Sequence, residues 1–411
     1  MDIKAFPFPT TWMRTFLRRW CVSSRATWVL LTKWFGGSSD ELGYVEPELK
    51  QIFLSLVSQG IGNGTVIPDV DDWQAVKALA DKQGLTAIIV DGIEKLPEAK
   101  RPPKELLLQW IGEALHNYEN YDGLYRRAIA ELSGWYNAHG YKMMVLKGYA
   151  CSINWPKPEH RPCGDIDIWL FGRQKEADRL LALDLGINVD NSHHHHTVFN
   201  WMGFTVENHY DFVNVHAHKS SRELEKVFKD LGQDDSHSVE VMGDASICSA
   251  TKVYLPSPNL HALFLMKHMV SHFAAAEITL RHVLDWAFFV EKHSTEVDWE
   301  WLDGLFVKYH MKDFFHLINA ICVEELGFDF NLNYLAKTNI TNFTYMKERV
   351  LDDILDPKYA AAEPQGFMNR MIYKYQRWQG NAWKQGLCYS ESRWSSFWTG
   401  IWAKILKPAS I

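Results

Sequence analysis

The stretch Gly164-Asp165-Ile166-Asp167-Ile168 determines how the rest of the chain is interpreted. Acidic and apolar residues alternate in it, and successive side chains of a β-strand point to opposite faces of a sheet. A strand here therefore places Asp165 and Asp167 on one face and sends Ile166 and Ile168 into a hydrophobic core. Two carboxylates held side by side repel each other unless a cation lies between them. The stretch predicts a strand whose polar face binds divalent cations.

Hard carboxylate oxygens on a rigid strand suit Mg²⁺, with Mn²⁺ as the alternative ion, and can hold two ions about 3.5 to 4 Å apart. A third carboxylate is expected on a neighbouring strand. Glu207 meets this requirement, because alternation along residues 204–209 puts it on one face with Thr205 and His209. Asp211 is the reserve candidate if the strand continues. An isolated Asp-x-Asp pair also occurs on solvated strand edges and in turns, so the surrounding sequence has to indicate whether this pair binds metal.

The surrounding pattern changes twice along the chain. Apolar residues recur at helical spacing from about Glu46 to Tyr136, and again after Pro258. Between these regions the apolar runs are short, and they predict strands and one compact helix. The predicted elements are a strand at Tyr141–Leu146, a strand at Asp165–Leu170, a helix at Glu176–Leu185, and strands at Thr197–Trp201 and Phe204–Tyr210 joined by a turn at Met202-Gly203.

These elements predict an α+β protein with a central mixed sheet flanked by N-terminal and C-terminal helical lobes. The predicted boundaries are an N-terminal helical region at 1–137, a central domain at 138–250 and a C-terminal helical domain at 257–411. Within the last of these, Leu280–Val290 is predicted to be a helix.

Composition places the chain among ordinary soluble proteins. It has 411 residues, of which 47% are hydrophobic and 23% charged, and a formal net charge of -7, which gives no sign of a nucleic-acid binder. The six cysteines form no CxxC pair, and no apolar run approaches the roughly 18 to 20 residues of a membrane span. Arginines interrupt the N-terminal segment, where a signal peptide would be apolar. We expect a reduced, cytoplasmic protein without a transmembrane segment.

Tryptophans and cations concentrate at both ends of the chain. Residues 11–39 carry five cations and no acid, and residues 365–411 carry seven cations against Glu391. Such ends can stack on RNA bases or lie at a membrane surface, and both roles stay open. We favour packing of the ends on the body and on each other, because Trp is mostly a packing residue. The tryptophans concerned are at positions 12, 20, 28, 34, 378, 383, 394, 398 and 402.

Three segments carry a family resemblance: Met144-Val145-Leu146-Lys147-Gly148, Arg161-Pro162-Cys163-Gly164-Asp165-Ile166-Asp167-Ile168-Trp169-Leu170, and Val206-Glu207-Asn208-His209-Tyr210. Their order resembles an incompletely characterised, largely bacterial nucleotidyltransferase family of the DNA polymerase beta-like superfamily. That family has a strand ending in Leu-Lys-Gly, an Arg before Gly-Asp-Ile-Asp, and a later Glu-x-His. The resemblance is close over residues 140–212, and Leu280–Trp286 also looks like one of the family's helical elements.

The resemblance implies that Asp165, Asp167 and Glu207 are catalytic metal ligands. It also implies a nucleoside triphosphate as partner, held by Lys147, Gly148, Arg161, Gly164 and Arg281. The wider superfamily usually has Gly-Ser where this chain has Lys147-Gly148, so a phosphate-binding serine is absent, and Lys147 and Arg161 are expected to supply positive charge instead.

Each of these cations has a structural alternative. Lys147 could be a solvated strand-end cation, Arg161 could pair with Asp165, and Arg281 could pair with Asp285 one helical turn away. His268, His272, Arg281 and Asp285 lie at helical spacings that could face the cleft, and the resemblance suggests instead that this helical lobe closes over the nucleotide.

Seven histidines in the central region raise the question of zinc. They are His193 to His196, His209, His216 and His218, and the last two would share a face if they lay in a strand. Four consecutive histidines cannot all face one ion, however, and no cysteine or regular ligand spacing accompanies them. We favour a polar loop and strand ends near the active cleft.

The expected reaction is transfer of a nucleoside monophosphate to an unidentified acceptor hydroxyl with release of pyrophosphate. The acceptor can be a small molecule, a protein or RNA. Two alternatives stay open: a non-catalytic nucleotide-binding protein on the same fold, which the missing serine motivates, and a metal-dependent hydrolase that uses the histidines.

Overall fold

A mixed β-sheet with many helices around it gives the chain an α+β architecture. The structure is a computed structural model that describes residues 45–193, 195–216, 218–241, 251–330, 340–359 and 364–391. Its α-helices are α1 (Pro47–Ile61), α2 (Trp73–Gln83), α3 (Thr86–Glu94), α4 (Lys104–Ala114), α5 (Asn120–Ala138), α6 (Tyr149–Ser152), α7 (Gln174–Leu185), α8 (Lys219–Leu231), α9 (Pro258–Ala275), α10 (Leu280–His293), α11 (Trp299–Lys308), α12 (Lys312–Ala320), α13 (Phe343–Leu355), α14 (Phe367–Gly380) and α15 (Ala382–Cys388). Short π-helical segments follow α4 (Leu115–Glu119) and α12 (Ile321–Glu325), and single 3₁₀ turns occur at Glu98–Lys100 and Pro158–His160.

Six strands form one sheet in the order β3-β4-β2-β1-β6-β5. Strand β2 runs parallel to β4 and antiparallel to β1, while β1 runs parallel to β6. The hairpin pairs β3–β4 and β5–β6 are antiparallel. This order makes β2 and β4 direct neighbours in the sheet. The strands are β1 (Met144–Val145), β2 (Ile166–Trp169), β3 (His196–Trp201), β4 (Phe204–His209), β5 (Ser238–Val241) and β6 (Thr251–Tyr254).

The turn between β3 and β4 fixes the register of this hairpin. Met202 and Gly203 both have positive φ angles, 51° and 88°. Two such residues in succession give the turn whose twist matches that of antiparallel strands. The Asn200 side chain also accepts a hydrogen bond from the Gly203 N–H at 3.2 Å. The predicted turn at Met202-Gly203 is therefore confirmed, and it aligns His196 with His209.

The two faces of the sheet contact different parts of the hydrophobic core. Ile166, Ile168 and Val206 are fully buried against α5, which contributes Tyr125 and Ile129. On the opposite face, Met144 and Trp169 join the core of the C-terminal helices. Since Asp167 alternates with its isoleucine neighbours, it projects toward the C-terminal helices. The predicted separation of acids and isoleucines onto two faces is confirmed.

The N-terminal and C-terminal helices share one hydrophobic core. Gln83 at the end of α2 donates hydrogen bonds to the carbonyls of Ile354 and Leu355 at 3.0 and 3.1 Å. The Ser58 hydroxyl of α1 donates to the Leu326 carbonyl at 3.2 Å. The boundaries predicted near residues 137, 250 and 257 remain a prediction.

Observed elements lie close to the predicted ones. The strand predicted at Asp165–Leu170 is Ile166–Trp169, and the helix predicted at Glu176–Leu185 begins two residues earlier, at Gln174. The run Tyr141–Leu146 shortens to the two-residue strand β1. Its flanking residues still make sheet-like hydrogen bonds, because Leu146 donates to the Asp167 carbonyl and Met143 accepts from Tyr254, both at 2.9 Å.

One tryptophan of the C-terminal end packs on the body of the protein. The Trp383 ring lies edge-on to Phe273 with centroids 5.5 Å apart, and the Arg349 guanidinium lies 4.3 Å from the same ring. This contact agrees with the packing interpretation for Trp383. The tryptophans at 12, 20, 28, 34, 394, 398 and 402 lie outside the described residues.

In the described part of the chain no helix has both the length and the apolar character needed to cross a membrane. Cys151, Cys322 and Cys388 are buried there as free thiols, and Cys163 is half-buried. Cys21 and Cys248 lie outside the described residues.

Candidate active site

The three predicted acids lie on neighbouring parallel strands. Asp167 of β2 is directly opposite Glu207 of β4, one step along the register from the buried pair Ile166 and Val206. Asp165 lies just before β2 on the same face. Their exposure differs: Asp167 is 4% exposed, the Glu207 side chain is 24% exposed and Asp165 is open to solvent. The sheet thus sets one buried, one half-buried and one exposed carboxylate side by side.

Two cationic groups surround the buried carboxylate of Asp167. The Lys147 ammonium lies 2.8 Å from its Oδ1, and His209 Nε2 lies 3.1 Å from the same oxygen. Burial alone would raise the pKa of Asp167, but Lys147 and the His209 hydrogen bond hold that pKa below its ordinary value. Burial lowers the pKa of His209, but the hydrogen bond to Asp167 and the nearby Glu207 carboxylate outweigh this effect and raise that pKa to about 9. The alternative of a solvated Lys147 is therefore wrong.

Asp165 forms no ion pair with any described residue. Partial burial and the negative charges of Glu207 and Asp167 raise its pKa above the ordinary value. This upward shift of the pKa results in part from the repulsion between neighbouring carboxylates that the alternating sequence predicted. A cation between the acids would remove the repulsion, and the protein already balances part of the charge with Lys147 and His209. The oxygen donors fit Mg²⁺ or Mn²⁺.

A cleft opens beside these acids, between the sheet and helices α9 and α10. Its walls carry three cationic side chains, and Arg281 forms no ion pair with a described residue. Within the described part of the chain, the Arg281 guanidinium donates only to the Pro162 carbonyl, at 3.3 Å. Burial and the nearby charge of Arg161 lower the pKa of Arg281. The cleft is lined by Lys147, Gly148, Cys151, Arg161, Gly164, Asp165, Asp167, Leu265, His268, Met269, Arg281, His282 and Asp285.

Arg161 pairs with Asp285 of α10. The two alternative pairs considered from the sequence, Arg161 with Asp165 and Arg281 with Asp285, are therefore wrong. Arg161 Nε and Nη2 donate to the two Asp285 oxygens at 2.7 and 2.8 Å, so Arg161 does not pair with Asp165, nor Asp285 with Arg281. Trp155 Nε1 donates to the same carboxylate at 2.9 Å. Burial opposes the Arg161 charge, yet Asp285 holds the pKa of Arg161 well above its ordinary value. This buried bidentate ion pair holds the loop before β2 against the C-terminal helices.

Gly148 occupies a position that no other residue could take without strain. Its backbone has φ 57° and ψ -104°, a conformation that residues with a Cβ atom disfavour, and it is the N-cap residue just before helix α6. A Cβ atom here would overlap the hydroxyl of Tyr125 on α5. That hydroxyl donates a hydrogen bond to the Asp165 carbonyl at 3.0 Å. Tyr125 therefore fills the space beside the Lys147-Gly148 turn and fixes the backbone that carries the first acid.

We predict that Gly148→Ala is destabilising by at least about 1–3 kcal/mol, because the substitution adds backbone strain and displaces Tyr125. The unfolding midpoint in urea measures the effect. Gly164→Ala is the matched control for stability, since a Cβ at Gly164 meets nothing within 4 Å. Equal midpoints for the two variants would contradict the prediction. Adding Tyr125→Phe to Gly148→Ala should recover the part of the loss that comes from the overlap.

The histidines divide into two groups. His195, His196 and His209 bring ring nitrogens within 4.8 Å of one another beside Glu207, and burial lowers the pKa of His196 to about 4. His216 lies in a turn and His218 precedes helix α8, so the arrangement in which these two share the face of a strand is wrong.

Lys229 pairs with Asp211 at 2.5 Å, which leaves Glu207 as the third acid of the group.

Sequence patterns missed one residue of this site and one of its ion pairs. Tyr125 occupies an ordinary apolar position of a helix, so no signal distinguished it. The Arg161–Asp285 pair joins residues 124 positions apart, and only the fold brings them together. His209 was detectable, because strand alternation places it on the face of Glu207. Asp165, Asp167, Glu207, Lys147, Gly148, Arg161, Gly164 and Arg281 do come together around the cleft, although their roles remain predictions.

A mixed sheet that sets carboxylates from neighbouring strands beside a cation-lined cleft is the arrangement expected of a nucleotidyltransferase. A sequence model of a family described as uncharacterised nucleotidyltransferase matches residues 69–327, and the chain belongs to that family. The match extends well beyond the segment 140–212, into helices on both sides of the sheet. No curated protein and no solved structure matches the chain.

Proposed function

We propose that this protein transfers a nucleoside monophosphate from a nucleoside triphosphate to an acceptor hydroxyl and releases pyrophosphate. The observation that carries this proposal is the convergence of Asp165, Asp167 and Glu207 beside a cleft lined by cations. Membership of a nucleotidyltransferase family supports the general reaction class.

In this proposal Asp165, Asp167 and Glu207 hold Mg²⁺, with Mn²⁺ as the alternative. Such ions, when bound, neutralise phosphate charge and lower the pKa of an attacking hydroxyl. Asp167, buried and held by Lys147 and His209, fixes the position of the group. Asp165 is exposed, and its carboxylate faces the solvent from which substrate enters. Because Asp167 is buried and Asp165 is exposed, we assign Asp167 to holding the metal site in position and Asp165 to contact with the substrate.

The cleft suits the phosphate part of a nucleotide. Its volume is about 160 Å³, below the roughly 300–1,000 Å³ typical of sites that enclose a drug-sized ligand. We assign Arg281 to the phosphates, because its guanidinium forms no ion pair with a described residue and has free donors. We also assign Lys147 to the phosphates, because its ammonium has two N–H donors besides the one directed at Asp167. Arg161 uses Nε and Nη2 on Asp285 and Nη1 on the Pro162 carbonyl, so we assign it to positioning the cleft wall. Gly148 and Gly164 line the cleft, and we assign their backbone to contact with the phosphates.

Arg281→Met should weaken binding of Mg-ATP by about 10- to 100-fold, because a charged hydrogen bond contributes about 1.5–3 kcal/mol. Isothermal calorimetry measures the dissociation constant. Lys292→Met is the matched control, since Lys292 is an exposed cation on the same helix α10 and lies outside the cleft lining. Equal affinities for the two variants would remove Arg281 from the phosphate site.

A pyrophosphate-release assay tests the reaction itself. We expect release that depends on a divalent cation, with each of the four radiolabelled nucleoside triphosphates offered together with cell extract. Pretreating the extract with RNase or protease then distinguishes RNA, protein and small-molecule acceptors. Calorimetric binding of Mg-ATP or Mg-CTP without any pyrophosphate release would reject transfer in favour of a non-catalytic nucleotide-binding protein.

A further inference from the structure

Three histidines converge where strands β3 and β4 meet at one end of their hairpin. His195 immediately precedes β3, His196 begins it, and His209 ends β4 directly opposite His196. One ring nitrogen of each histidine lies within 4.8 Å of the other two. The ring centroids are 4.4 Å apart for His195 and His196, 5.6 Å for His195 and His209, and 5.3 Å for His196 and His209.

Three ring nitrogens of His195 and His196 have no hydrogen-bond partner among the described residues. His195 Nδ1 and both ring nitrogens of His196 are buried and form no hydrogen bond with a described residue. The His196 residue is 7% exposed. Buried polar atoms are almost always hydrogen-bonded, because leaving them unpaired costs free energy. Each neutral imidazole has one lone pair on a ring nitrogen, so the unpaired nitrogens of His195 and His196 indicate a ligand that accepts one lone pair from each of these rings.

We propose that His195, His196 and His209 bind one divalent transition-metal ion of the zinc and cobalt type. Imidazole nitrogen is a preferred ligand of such ions, whereas Mg²⁺ takes oxygen. Three protein ligands leave a fourth position open to water or substrate. The nitrogens are close enough for modest ring rotations to bring them to the Zn–N distance of about 2.0–2.1 Å. The site takes only imidazole donors, and His209 gives up the proton that its Nε2 shares with Asp167 when the ion binds.

Two neighbouring contacts support this assignment. His209 Nδ1 lies 3.2 Å from the Asp211 carbonyl, the kind of outer contact that orients a ligating imidazole. Glu207 Oε2 lies 3.6 Å from His196 Nδ1, so an anionic charge that favours a bound cation lies next to the cluster. An ion bound here is adjacent to the third acid of the proposed transfer site. The proposed histidine site does not depend on the proposed nucleotidyl transfer, because none of its three ligands is an assigned catalytic acid.

Cobalt binding tests the proposal without reference to activity. The full chain, purified without a polyhistidine tag and stripped with a chelator, is titrated with Co²⁺ in the absence of nucleotide. We expect one equivalent of Co²⁺ to produce the visible absorption of a tetrahedral site, one equivalent of Zn²⁺ to remove it, and excess Mg²⁺ to leave it unchanged. No band in the natural chain, or displacement by Mg²⁺, would overturn the proposal.

Single variants locate the site. His196→Gln should lose the Co²⁺ band, while His237→Gln should retain it, because His237 is a half-exposed histidine outside the cluster. Circular dichroism checks that each variant folds, and His195→Gln replaces His196→Gln if that variant does not. A band of undiminished intensity in both cluster variants would contradict the assignment. Asp165→Asn should keep the band and lose transfer, so failure of one proposal is distinguishable from failure of the other.

Discussion

Asp165→Asn is expected to lower the rate of nucleotidyl transfer by about 100- to 1,000-fold and to leave stability unchanged. The amide removes a negative charge that the proposed Mg²⁺ site needs, and such ions contribute several kcal/mol to the transition state. Stability should not change, because Asp165 is exposed and forms no ion pair with a described residue. Pyrophosphate release measures the rate, and the urea midpoint measures stability. Transfer at the natural rate in this variant would reject the mechanism.

Asp167→Asn should lose transfer as well, but here we also expect a loss of stability. The sequence alone predicts that both variants keep the fold intact. In the structure, however, Asp167 is buried and balances Lys147 and His209, which would lose their counter-charge. Asp211→Asn is the control, since Asp211 lies near the site but pairs with Lys229. Loss of transfer in Asp211→Asn would reopen the choice of third acid.

Asp285→Ala should destabilise the protein by about 3–5 kcal/mol, the usual cost of removing one partner from a buried ion pair. Asp285 and Arg161 side chains are each 6% exposed, and the substitution leaves the guanidinium buried without its carboxylate. It also removes the acceptor of the Trp155 hydrogen bond. Urea denaturation measures the change in the free energy of unfolding.

Two further variants distinguish a buried charge from lost packing. Arg161→Met combined with Asp285→Leu should recover most of the stability, because apolar residues can replace a buried ion pair. Glu176→Ala removes the exposed pair with Arg173 and should not change the midpoint measurably. If Asp285→Ala were as stable as the natural chain, the buried pair would not hold the loop before β2 to α10.

The sequence predicted the part of the fold that depends on local periodicity. Alternation in Gly164–Ile168 and in residues 204–209 was sufficient to place three acids on common faces, because side-chain direction in a strand follows from position alone. The two helices that were given bounds, Glu176–Leu185 and Leu280–Val290, were predicted to within a few residues, because helical periodicity is also a local property of the sequence. The bounds of β1 were less accurate, since pairing with β2 and β6 defines that strand and a short apolar run does not.

Contacts between distant segments could not be predicted in this way. Nothing in the local pattern indicates that Arg161 meets Asp285, or that Lys147 lies against Asp167. The histidine cluster was missed for a related reason. The histidines suggested a polar loop and strand ends near the cleft, but only the hairpin register shows that two of the run of four lie next to His209. Strand order and register, which the sequence does not state, therefore determine the composition of the site.

The contact between Tyr125 and Gly148 limits how the chain can be shortened. Helix α5 precedes the central segment that carries the acids, yet it covers one face of the sheet and supplies the hydroxyl bound to Asp165. A fragment starting at residue 138 would therefore expose Ile166, Ile168 and Val206 to water and leave the first acid without its support. Efforts to obtain a minimal active enzyme should begin upstream of Asn120.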